Sequence, residues 1–152
     1  MVVLSLNTGL RRGEVFSLTW HSVNFQTKVL TVEGTTAKSG QTRHFPLNDE
    51  ALSVLRQWQK QIKGEGLVFP GKHGSRLDNV RKSWAGLLKN ASITGFRWHD
   101  LRHDFASKLV MAGVPLNTVR DLLGHADLAT TLRYAHFAPD YRAQAVGMLR
   151  RA

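Results

Sequence analysis

His99, Arg102, His125 and Tyr134 lie in one stretch, GFRWHDLRHDFASKLVMAGVPLNTVRDLLGHADLATTLRYAHF (residues 95–137), and their types suit work on an anion. His99 and Arg102 are three apart, so on a helix they are neighbours. Two nitrogen-rich side chains held together grip a phosphate or carboxylate. Tyr134 adds a phenol nine residues after His125. A phenol of pKa about 10 is only about 0.1% ionised at neutral pH. As a nucleophile it therefore needs cationic or basic neighbours, and this stretch supplies candidates.

The elements that position these groups are legible around them. HDLRHDFASKLVMAG reads as one helix with Leu101, Phe105, Leu109 and Ala112 on the packed face and Gly113 as a left-handed stop. That reading puts His99 and Arg102 on the face turned away from the core. A second helix, Leu116 to Leu123, carries Leu116, Val119, Leu122 and Leu123 inward and ends at Gly124. Asp127 can cap a third, whose last turn holds Tyr134. On one unbroken helix His125 and Tyr134 would face opposite ways, since nine residues make about two and a half turns. The break at Gly124 lets them converge.

Three separated segments resemble the motif boxes of the tyrosine recombinase (phage integrase) family: TGLRRGE near the start, WHDLRHDFAS, and LLGHADLATTLRYAH. They occur in the family's order and the likeness spans nearly the whole chain. It implies an α+β, mainly helical catalytic domain with a small three-stranded antiparallel sheet at one edge. It also implies catalytic roles for Arg11, Lys38, His99, Arg102, His125 and Tyr134, with Glu14 in support. In that chemistry Tyr134 attacks a backbone phosphorus and leaves a 3′-phosphotyrosine. Arg11 and Arg102 clamp the nonbridging oxygens, and Lys38 protonates the 5′-oxygen. His99 helps remove the tyrosine proton, and His125 hydrogen-bonds the phosphate. No metal or other cofactor is implied. Double-stranded DNA is the implied partner, together with self-association into a tetramer through the C-terminal helix.

Along the chain, MVVLSLN reads as the tail of a helix, and Arg11 to Leu18 as a second helical piece with Val15 and Leu18 inward. Residues 20–47 change to strand periodicity. Val23 and Phe25, Leu30 and Val32, and the run His44 to Leu47 give short antiparallel strands, with Lys38 at or near the tip of the second hairpin. TAKSGQTRHFPL resembles the family's lysine-bearing hairpin. Asn48 or Asp49 caps a helix carrying Ala51, Leu55, Trp58 and Ile62. Asp78 or Asn79 opens another with Val80, Trp84, Leu87 and Leu88 buried. Between them KHGSR forms a basic loop. Pro139 and Asp140 start a final helix that contains Tyr141, read as a packing or interface residue.

Composition sets the outer bounds. The chain has 152 residues, enough for one domain with a proper core, and is read as a single catalytic domain without the family's amino-terminal DNA-binding domain. Twenty-one Lys and Arg against eleven Asp and Glu give a formal charge of +10, which favours a polyanionic partner through counterion release. There is no cysteine, which removes disulfides and thiolate metal sites and fits a reducing cytoplasm. No stretch has the length and apolarity of a membrane span. A cytoplasmic, nucleoid-associated protein of prokaryotic or phage origin is expected. Two rival functions share some of these features. His99 and His103 have the four-residue spacing of the HExxH zinc motif, but Asp100 replaces its glutamate and Arg102 sets a cation beside the metal. A DNA-binding module without strand cleavage needs the charge but not the tyrosine and its companions. Ordinary hydrogen-bonded roles suit His21, His44, His73 and His103, and His136 is at most supporting.

Overall fold

The computed structural model describes residues 1–34, 40–62, 65–140 and 146–147. Lys38 and Tyr141, and the helix expected around Tyr141, lie outside the described residues apart from a helical pair at 146–147. The described chain runs α1 (Val2–Thr8), α2 (Arg12–Phe16), β1 (Val23–Asn24), β2 (Val29–Val32), β3 (Arg43–Pro46), α3 (Asp49–Ile62), α4 (Arg81–Asn90), α5 (Asp100–Met111), α6 (Leu116–Leu123) and α7 (Ala129–Leu132). Single 3-10 turns occur at Trp20–Ser22, Lys72–Gly74 and Ala135–Phe137. The expected α+β, mainly helical architecture is thus the one found.

The strands form one antiparallel sheet in the order β1-β2-β3. Leu30 is paired with Val23 on one side and Phe45 on the other. All three are buried, as is Val32, because alternate side chains of a strand share one face. That face meets α5, where the Phe45 and Phe105 rings lie 5.8 Å apart at an oblique angle. Helix α1 packs on both α3 and α5. Leu4, Leu52, Leu55, Phe105 and Val110 bury there, each such apolar side chain contributing about 1.5–3 kcal/mol. Asn48 caps α3, its Oδ1 accepting from the Ala51 N–H at 2.9 Å.

Two expectations need correction. Helix α4 buries none of its residues, and Leu87 is 46% exposed. Its stripe is real but its cover is thin: Trp84 packs at a tilt against Phe96, meets Trp98 edge-on and donates to the Phe96 carbonyl at 3.3 Å. Arg102 does not lie on an outer face of α5 either. It is 3% exposed, because α1 and α6 close over this side of the helix and offer backbone carbonyls to its guanidinium. Among the described residues no helix is long and apolar enough to cross a membrane.

Candidate active site

The site is built on the carboxyl end of α6. The last carbonyls of a helix lack internal partners and carry the negative end of its dipole, so they attract cations. Arg102 Nη2 donates to the Leu123 carbonyl at 2.6 Å, and Arg11 Nη2 to that of Gly124 at 3.2 Å. Arg102 Nη1 also donates to Gly9 at 2.7 Å, where α1 ends in a left-handed glycine (φ 60°). Two arginines far apart in sequence are thereby fixed on consecutive carbonyls. Burial, aided by the nearby Arg11 charge, lowers the Arg102 pKa to about 10, so the group stays charged at neutral pH.

Glu14 supplies the counter-charge. Arg11 stands at the N-cap of α2, where its N–H donates to Glu14 Oε2 at 2.8 Å and its Nη1 to Oε1 at 3.1 Å. The carboxylate is buried, and a second cation reaches it: Arg43 Nη2 donates to Oε2 at 3.1 Å. Arg43 enters from β3 on the same side as Phe45. Its side chain is 10% exposed, and its Nε and Nη1 are buried without a hydrogen-bond partner among the described residues. One carboxylate thus serves two guanidiniums, with Arg102 close enough to feel both.

His125 follows Gly124 and bonds through Nδ1 to the Thr131 hydroxyl at 2.8 Å, Thr131 itself being fully buried. Burial, then the charges of Arg102 and Arg11, push the His125 pKa down to about 4, so its imidazole is neutral at pH 7. His125 and Arg43, with Gln41, Arg120 and Gly124, line an open cleft of about 470 Å³.

Asp127 Oδ1 accepts from the Ala129 N–H at 2.9 Å and so starts α7. Tyr134 comes just after that helix, at the start of the last 3-10 turn, and is 4% exposed. Its hydroxyl meets His103 Nδ1 at 2.6 Å. Burial raises its pKa, and the charges of Arg102 and Arg133 only partly offset this, so the phenol rests protonated. His99, exposed at the N-cap of α5, places its ring 4.7 Å from that of His103 at 86°. Burial, then His103 and Arg102, lowers the His99 pKa.

Of the expected residues, Arg11, Glu14, Arg102 and His125 meet at the end of α6. Tyr134 and His99 gather on His103, and Arg102 joins the two groups electrostatically. Lys38 lies outside the described residues. His136 is exposed, its ring packed at a tilt against that of Phe137. Two participants escaped the sequence reading. Arg43 was detectable as a cation in register with Phe45 on the inward face of a strand, which calls for a buried anion. His103 had only its place one turn beyond His99. Among the described residues, no three His, Cys, Asp or Glu side chains cluster as metal ligands.

The Phage integrase family model matches residues 1–140. The integrase of Salmonella phage P22 is 35% identical over 153 residues, covering 93% of this chain and 39% of that protein. The tyrosine recombinase XerD of Pseudomonas putida is 35% identical over 141 residues, covering 86% of this chain and 46% of its own length. The chain thus spans less than half the length of these two relatives. Among solved structures, the catalytic domain of bacteriophage HP1 integrase superposes with a TM-score of 0.70 at 28% identity, covering 97% of this chain and 79% of that one. The Tn1549 transposon integrase, in complex with circular intermediate DNA, gives 0.81 at 22% identity, with 96% of this chain and 56% of that one covered, a likeness of fold. By motif order, architecture and family match together, the chain belongs to the phage integrase family.

Proposed function

We propose that this chain is the catalytic part of a site-specific DNA recombinase, cleaving and rejoining strands of duplex DNA through a covalent 3′-phosphotyrosine at Tyr134. The observation that carries this reading is the placement of a buried, uncharged phenol beside a charged, buried Arg102. That arginine shares the end of α6 with Arg11. Guanidiniums suit this work because their planar fork pairs with phosphate oxygens and never loses its proton near neutrality. Arg11 and Arg102 hold the two nonbridging oxygens as charge builds on phosphorus. The Thr131 hydroxyl donating to His125 Nδ1 leaves Nε2–H of the neutral ring to donate to the same phosphate. Lys38 protonates the departing 5′-oxygen. The O–P bond to tyrosine replaces the P–O5′ bond, so attack by a 5′-hydroxyl reverses the step without added energy. No metal takes part, because the arginines supply the transition-state charge. Four copies on two duplexes, joined through the C-terminal segment, complete the exchange.

The test is covalent capture on a pool of nicked duplexes randomised around the nick, resolved on a denaturing gel. The parent forms an adduct that persists in EDTA, Tyr134→Phe forms none while still binding DNA, and Tyr141→Phe keeps it. A parent that binds DNA but forms no adduct makes the chain a binding module. An adduct that survives Tyr134→Phe and vanishes in Tyr141→Phe moves the nucleophile to the terminal segment.

A further inference from the structure

We infer that His103 is the general base that takes the proton from Tyr134, an inference that rests on the strand-cleavage reading above. The geometry is direct: His103 Nδ1 and the Tyr134 hydroxyl are 2.6 Å apart, within the range for a base and the proton it abstracts. His99 is exposed at the helix start; the phenol is hydrogen-bonded to Arg133, which can only donate, and to His103, which can accept its proton.

The charges around His103 suit the role. On its own helix it faces His99, Asp100 and Arg102. Arg97 approaches from the preceding loop, and Arg133 and Tyr134 from beyond α7. Its partial burial and the cations Arg133, Arg97 and Arg102 outweigh Asp100 and keep the imidazole neutral. A neutral ring protonated on Nε2 presents a lone pair at Nδ1, and the Tyr134 O–H donates to it. Asp104, next in sequence, pairs with Lys108 at 2.8 Å.

The step balances on these atoms. As the Tyr134 oxygen bonds to phosphorus, its proton passes to His103 Nδ1 and gives an imidazolium. The P–O5′ electron pair leaves with the 5′-oxygen, which takes a proton from the acid on the other side. Rejoining runs the same transfers backward, so His103 returns its proton to the phenol. His99, one turn earlier on α5, is then free to bond the phosphate.

The discriminating variant is His103→Asn, whose Oδ1 keeps an acceptor near the Nδ1 position but cannot take a proton. Single-turnover adduct formation is followed across pH, beside duplex affinity and thermal melting. The parent rate should fall as pH drops below the ordinary histidine range. His103→Asn should be slower by about 10²–10⁴-fold and lose that acidic limb, with affinity and melting near the parent's. His99→Asn should retain the limb. If His103→Asn melts early, His103→Gln serves in its place. Parent-like cleavage by His103→Asn, or faster cleavage, overturns the inference and leaves His103 a resting latch for the phenol. Loss of the acidic limb in His99→Asn alone hands the proton to His99. A parent that forms no adduct overturns the strand-cleavage reading itself, and this inference with it.

Discussion

Glu14 has two guanidiniums bound to it and almost no solvent, which makes it the electrostatic pivot of the site. Removing its charge while keeping its shape leaves Arg11 and Arg43 facing each other across a neutral amide. Hydrogen bonds to charged groups contribute about 1.5–3 kcal/mol each, so Glu14→Gln should lower unfolding free energy by roughly that amount. Adduct formation should slow as well, because Arg11 loses the contact that aims it. Denaturant titration checks the first effect, and an unchanged midpoint would mean that solvent already screens the cluster. Glu14 was legible in the sequence through its motif, as were Arg11, Arg102, His125 and Tyr134. Arg43 and His103 were not, because each gains its meaning from a partner distant in sequence, Glu14 for one and Tyr134 for the other. Spacing reports neighbours on one helix; it is silent on which helix another segment will cross.

Helix α6 shows how one backbone position sets several side chains. Gly124 ends the helix at φ 62°, and the same residue supplies the carbonyl that holds Arg11. A methyl group there would run into the Arg43 side chain, whose guanidinium and Cδ press against the glycine. Gly95, also left-handed (φ 70°) but with open space around it, isolates the backbone part of the effect. Gly95→Ala should therefore cost only the left-handed term, about 1–2 kcal/mol. Gly124→Ala should cost more and also slow adduct formation by displacing Arg43 and the turn to His125. Equal melting shifts in the two variants would show that Arg43 moves aside freely. The sequence marked this glycine as a helix stop, because a single left-handed residue is a local event. It did not reveal the thin cover of α4, since an apolar stripe states that burial is sought, not how fully it is met. Nor could it show that Arg102 points inward: the carbonyls that solvate its charge belong to α1 and α6.

At the scale of the whole molecule the chain carries a formal charge of +10, and among the described residues two clefts near the candidate site are lined by arginines. Arg43 and Arg120, the latter paired with Asp121, line the cleft at the end of α6 beside the neutral His125, while Arg12 and Arg97 line another of about 360 Å³ before α5. A duplex backbone following the first cleft to the second would pass Tyr134, because His125 at the first bonds Thr131 of α7 and His99 at the second packs on His103, the partner of the Tyr134 hydroxyl. Binding of this kind rests on counterion release, so affinity should fall steeply with salt. If about five phosphates are neutralised, log K against log salt should have a slope of roughly −4 to −5. Arg12→Gln and Arg97→Gln should each weaken binding similarly on different sequences and reduce the slope by about 1, as expected for a phosphate contact. Fluorescence anisotropy with short duplexes over a salt series measures both quantities. A slope near zero, or variants that lose affinity for one sequence only, would show that these arginines read base edges, and the proposed path of the backbone between the clefts would be wrong.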